Sequence, residues 1–96
     1  MIQQNELVLS KQLLRSATSI GANVEEALAG SSKKDFIFKM TVASKEARET
    51  RYWLHLLDSS DLVSNDFQTY LPEIEEIINI LTAIVKTSRQ NLNLDN

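Results

Sequence analysis

Two side-chain groupings in this chain of 96 residues have the types and spacing to do chemistry. The first is a set of carboxylate pairs, Glu46/Glu49 and Glu73/Glu76, at the i, i+3 spacing with which helices present metal ligands inward. Such a site needs Glu-x-x-His, and the one histidine, His55, has Tyr52 three positions before it. A cluster short of ligands holds no metal. His55 beside Arg51 has no obvious orienting acid within its helix, since Asp58 falls in the loop expected after Leu57. No Ser-His-acid order stands out, and two glycines make no phosphate loop. The expectation is a protein that is not an enzyme and has no metal or cofactor.

The second grouping is cationic. Lys34, Thr41, Ser44, Arg48, Arg51 and His55 fall within roughly 100° of one another on a helical wheel, and Arg presents a fork that suits phosphate. Lys11 and Arg15 could join them. The pattern has two readings. One is an RNA- or DNA-binding face carried by Lys34, Arg48, Arg51 and Lys11, with affinity that falls steeply as salt rises. The other is an ordinary solvated face, since Glu46 and Glu49 flank it and the sequence pI is near 5.0. Tyr52 and Trp53 are not interleaved with basic residues as a single-strand stacking platform requires. Trp53 reads as core or interface.

The elements that position these groups are helices. Ser32 is an N-cap with Asp35 at the capping-box position, and the helix it opens runs to Leu57. Along it Phe36, Met40, Ala43, Ala47, Thr50, Leu54 and Leu57 alternate spacings of four and three, which is a bundle seam. Phe38, Val42, Trp53 and Leu56 sit on another face, so this helix needs a second partner there. Before it, Glu6 to Ala29 reads as a helix with a stripe of Leu9, Leu13, Ala17, Ile20, Val24 and Ala27. Gly21 in its middle suggests a close backbone approach, and Gly30 is a C′ stop. Arg15, Ser19, Asn23 and Glu26 form a polar stripe on the same helix, either solvated or satisfied by structural or interface partners.

Beyond Leu57, Asp58 to Asp61 reads as a loop, Leu62 and Val63 as the bundle's end, and Ser64 to Leu71 as a short helix. Pro72 fits the first position of a last helix. There Glu73, Glu75 and Glu76 at the start and Lys86 and Arg89 near the end complement the helix dipole. Its stripe of Ile74, Ile77, Ile78, Leu81, Ile84, Val85 and Ser88, widened by Ile80, implies burial over much of its circumference. Asn91 to Asn96 reads as a frayed tail. The architecture expected is all-α: an up-down antiparallel helical bundle of three main helices plus a short one, in a single domain over residues 1–96.

Net charge is −3 but unevenly divided. Residues 1–51 carry eight Lys/Arg against six Asp/Glu, and residues 52–96 two against seven. Antiparallel helices of opposite bias would attract one another. With no cysteine, no run long enough to span a membrane and no signal peptide, the chain reads as soluble and cytoplasmic. No membrane partner or small-molecule substrate is indicated. A core this small leaves little stability to spare, which favours a homo-oligomer.

The stretch LSKQLLRSATSIGANVEEALAGSSKKDFIFKM (Leu9 to Met40), with SKEARETRYWLHLL (Ser44 to Leu57) and ILTAIVKTSR (Ile80 to Arg89), resembles a family of bacterial four-helix bundle proteins. That family was first named for reading frames inside intervening sequences of 23S ribosomal RNA genes. The match covers about 80 residues in collinear order. It includes the polar stripe Arg15, Ser19, Asn23 and Glu26, which favours a structural role for that face. The resemblance implies an up-down bundle assembled as a five-membered ring and, by analogy with a related accessory protein of diversity-generating retroelements, nucleic-acid binding through a basic surface. Family members begin with a further long helix that is not seen before Leu9. Its absence would leave an apolar face that includes Phe38, Val42 and Trp53, through truncation or because a partner chain fills the gap. The function expected is a self-assembling interaction module, with nucleic-acid binding through the basic face of the Ser32 to Leu57 helix as the alternative.

Overall fold

The computed structural model describes residues 4–60 and 67–94. Three long helices account for most of them: α1, Gln4–Ala29; α2, Lys33–Ser59; and α3, Leu71–Leu94, preceded by a 3-10 turn at Phe67–Thr69. The all-α, antiparallel arrangement is the one expected. Leu62, Val63 and the start of the expected short helix lie outside the described residues, as do Asp95 and Asn96.

Local chemistry sets the boundaries. Ser32 is extended (φ −143°, ψ 160°), and its hydroxyl accepts from the Asp35 N–H at 3.0 Å, satisfying a donor that the first turn leaves unpaired. Only Gly30 to Ser32 separate α1 from α2, so the two form a hairpin. Gly30 is not in the left-handed conformation expected of a C′ glycine. Its N–H instead donates to Ala27 O at 3.2 Å, closing a tight last turn. A Cβ there would displace the Asp35 carboxylate, the mobile end of a side chain, and sit 3.3 Å from Ala27 O. Two helices run further than expected: α2 ends at Ser59, not Leu57, and α3 continues through Asn91 to Leu94. Pro72 is one position inside α3, where it still forfeits no intrahelical bond, because Ile74 N–H is the first to donate, to Tyr70 O.

The helix α2 is the centre of the molecule. Both α1 and α3 pack against it, and among the described residues they make no backbone approach to each other. The cross-section is accordingly wide and shallow, with overall dimensions of 56 × 21 × 13 Å. Met40, Ala43, Ala47, Thr50, Leu54 and Leu57 are buried, so the four-three stripe is the seam, with Phe36 half-buried at its start. Against it lie Ala27 from α1 and Ile74, Ile78, Leu81 and Val85 from α3.

The α1 stripe differs from expectation at one position. Ala17 is exposed, and the residue before it, Ser16, is fully buried. Thr50 Oγ1 lies 2.9 Å from Ser16 Oγ, while each hydroxyl also reaches a carbonyl of its own helix: Leu13 O at 3.1 Å for Ser16 and Glu46 O at 2.8 Å for Thr50. Two short polar side chains let the helices approach closely with no polar atom left unpaired. On α3, Ile77 and Ile80 remain exposed, so that helix buries one stripe and not the broad surface expected.

Candidate interaction surfaces

Three surfaces follow from this architecture. The first is the outer edge of the α1/α2 seam, where the polar stripe lies. Arg15 reaches across to both Glu46, at 3.3 Å, and Glu49. Glu26 pairs with Lys39 at 3.7 Å, and the Asn23 side-chain amide donates to Ser19 O at 2.8 Å. The stripe thus ties α1 to α2 along a half-exposed border. Such pairs contribute about 0–1 kcal/mol each, so their effect is mainly to fix register.

The second surface is apolar and lies on the opposite side. The ion pairs of Arg15 and Glu26 mark the edge of α1 nearest the outer side of α2. Leu7, Leu14, Gly21 and Leu28 project roughly 120–180° around α1 from the buried Ser16, toward the other edge. They recur at a strict seven-residue interval. Leu14 is 65% and Leu28 68% exposed, and a Cβ on Gly21 would meet nothing within 4 Å. Among the described residues no backbone makes the approach expected at Gly21. On α3, Thr82 and Glu75 face the outer side of α2 through Arg48 and Arg51, and Ile77 and Ile80 lie roughly 140–220° away from them. Both apolar edges therefore flank the gap between the α1 and α3 backbones, a shallow trough closed at its bottom by side chains, since Ala43, Ala47 and Leu57 of α2 are fully buried.

Phe38, Val42, Trp53 and Leu56 lie elsewhere, on the outer face of α2. Phe38 is 61% exposed, and the other three are half-buried. Trp53 Nε1 donates to Glu49 Oε1 at 3.1 Å, and its ring meets Tyr52 edge-on at 4.9 Å. The apolar face expected to include Phe38, Val42 and Trp53 is thus one of two: the leucines of α1 and the isoleucines of α3 form another. The outer patch of α2 is separate from it.

The third surface is the groove between α2 and α3 on that outer side. It encloses about 450 Å³ and is lined by Lys45, Arg48, Lys86 and Arg89, with Ser44 and Thr82 between them. Arg48 Nη2 donates to Thr82 Oγ1 at 3.1 Å. Of the cations singled out from the sequence, only Arg48 belongs to this groove. Arg51, one turn on, is bound to Glu75 at 2.7 Å. Lys34 is exposed at the start of α2, and Lys11 is exposed on α1, across the central helix. Lys45 escaped the sequence reading because it lies just outside the 100° window. Lys86 and Arg89 were accounted for by the α3 dipole, and only the pairing of two helices about 40 residues apart brings them beside Arg48.

Helix order, short hairpin connection and seam define an open antiparallel helical bundle. The chain belongs to the 23S rRNA-intervening sequence protein family, whose sequence model matches residues 1–83. A solved structure from Bacteroides thetaiotaomicron, described as a protein of unknown function from the S23 ribosomal protein family, is similar at 45% identity. The match covers 88% of this chain and 79% of that one, with a TM-score of 0.79. Among curated proteins nothing matches. Among the described residues, no helix is long and apolar enough to cross a membrane.

Proposed function

We propose that the chain is a non-enzymatic, cytoplasmic interaction module that assembles with copies of itself through the apolar trough between α1 and α3. The observation that carries this reading is the heptad row Leu7, Leu14, Gly21 and Leu28, whose three leucines are exposed on a helix already anchored by its other face. An interval of seven is the repeat with which two helices keep one seam in register, and a glycine within it admits a close neighbour. Contiguous exposed apolar surface of this kind marks an interaction site. A five-membered ring is the stoichiometry that the resemblance supports. Nucleic-acid binding through Lys34, Arg48, Arg51 and Lys11 has less in its favour, because those four cations do not share one surface.

Light scattering coupled to size exclusion tests the reading. The wild-type chain is expected to run as a defined oligomer at micromolar concentration. Leu14→Glu with Leu28→Glu is expected to give a monomer that keeps its helical circular dichroism. A wild-type chain that is folded and monomeric under these conditions overturns the proposal.

A further inference from the structure

Two sets stand out among the ten cations of this protein. Arg15, Lys39 and Arg51 are matched to glutamates. Lys45, Arg48, Lys86 and Arg89 make no ion pair among the described residues, and all four line the groove between α2 and α3. Among the described residues no acidic side chain lines that groove. Each helix contributes its two cations at i, i+3, a spacing at which like charges repel within a helix, and helix pairing then sets one repelling pair beside the other. Four uncompensated positive charges are thus concentrated on a chain whose net charge is −3.

We propose that this groove is a binding site for an anion carrying two or more adjacent phosphate groups. Two guanidinium forks and two ammonium groups provide the donors, and forked donors match phosphate oxygens bidentately. The bond from Arg48 to Thr82 holds one fork across the groove and leaves its other N–H groups for a ligand. Ser44 adds a hydroxyl at the wall. A single phosphate would leave part of the cluster unneutralised, whereas linked phosphates span both helices. No aromatic ring lines the groove, so a nucleobase has nothing to stack on and recognition rests on phosphate alone. The volume suits a compact ligand. The site is independent of the assembly surface, which lies on the opposite side.

Two sources share this chemistry: a free oligophosphate and the phosphodiester backbone of RNA. Inorganic tripolyphosphate is titrated by calorimetry, and a labelled short oligouridylate by fluorescence anisotropy, both at low and moderate salt. Tripolyphosphate is expected to bind, more weakly as salt rises. Lys86→Gln with Arg89→Gln is expected to weaken binding by about tenfold or more, and Lys45→Gln alone by a smaller factor, whereas Lys11→Gln with Lys34→Gln changes it by less than about twofold. All these side chains are exposed, so circular dichroism should be unaltered. Binding of tripolyphosphate alone assigns the site to free oligophosphates. Binding of the oligouridylate alone, lost in the same variants, assigns it to RNA. Absence of binding to either at millimolar concentration, or equal losses in the Lys11/Lys34 control, overturns the proposal. Mass measured on the same samples reports separately on assembly.

Discussion

Ser16 and Thr50 show how one pair of side chains sets a helix–helix distance. Both are buried: the Ser16 hydroxyl donates to Leu13 O, and the Thr50 hydroxyl has both Ser16 Oγ and Glu46 O within reach of its one proton. A larger side chain at either position must push α1 from α2 or adopt a poor rotamer. Ser16→Leu is therefore expected to destabilise the fold by about 1–3 kcal/mol. Thr50→Val keeps the volume but removes a hydroxyl while leaving Ser16 its bond to Leu13 O, and is expected to cost about 0.5–1.5 kcal/mol. Urea denaturation followed by circular dichroism measures both. Equal costs for the two would show that hydrogen bonding, not space, governs the position. Sequence periodicity placed Ala17 here because an apolar stripe prefers alanine over serine, and a buried serine is readable only once its partner hydroxyl is known.

At the scale of elements, α1 carries two stripes and only one is covered. Leu9, Leu13, Ile20, Val24 and Ala27 face α2, and Leu7, Leu14, Gly21 and Leu28 do not. Gly21→Ala separates the effects. In a helix facing open space the change is expected to stabilise the fold by about 0.5–1 kcal/mol, through lower backbone freedom in the unfolded chain. A helix packed closely against Gly21 would have to move away from the new methyl, so the same substitution is expected to weaken assembly. Thermal unfolding of the dilute chain and light scattering of the concentrated one read the two effects separately. The seam of α2 was legible in the sequence because its four-three spacing admits one face and Ser32 with Asp35 marks its start. The trough was not, since a wheel gives stripes without saying which one a partner covers. The basic groove was still less legible: Lys45 and Arg48 read as surface charge, Lys86 and Arg89 as dipole partners, and only tertiary pairing joins them.

For the whole molecule, the uneven division of charge finds a use in the α2/α3 contact. Arg51 from the basic half meets Glu75 from the acidic half, as attraction between oppositely biased helices would have it. The attraction is local. One turn away Arg48 finds a threonine, and beyond it, among the described residues, cations and uncharged side chains but no acid. Asn91 to Leu94 of the expected frayed tail form the last turn of α3, which carries Gln90 and Asn93 along the far end of the groove. The resemblance to 23S rRNA-intervening sequence proteins led to the bundle, and the family match and the Bacteroides structure place the chain there. The stripe of Phe38, Val42, Trp53 and Leu56 that the same resemblance singled out stays on the outer face of α2, with Phe38 exposed and the other three half-buried.

The position of α2 between two helices whose backbones stay apart has a kinetic consequence. Lifting α1 exposes one flank of α2 and leaves α3 seated, and the converse holds for α3. The native state should therefore open by two separate local reactions, and only loss of both frees the middle helix. Amide hydrogen exchange should show α2 with the slowest amides and two independent, faster sets for α1 and α3. Substitution at Ser16 should speed exchange in α1 and leave α3 unchanged. A single protection factor shared by all three helices would instead mean that the open arc closes and opens as one body.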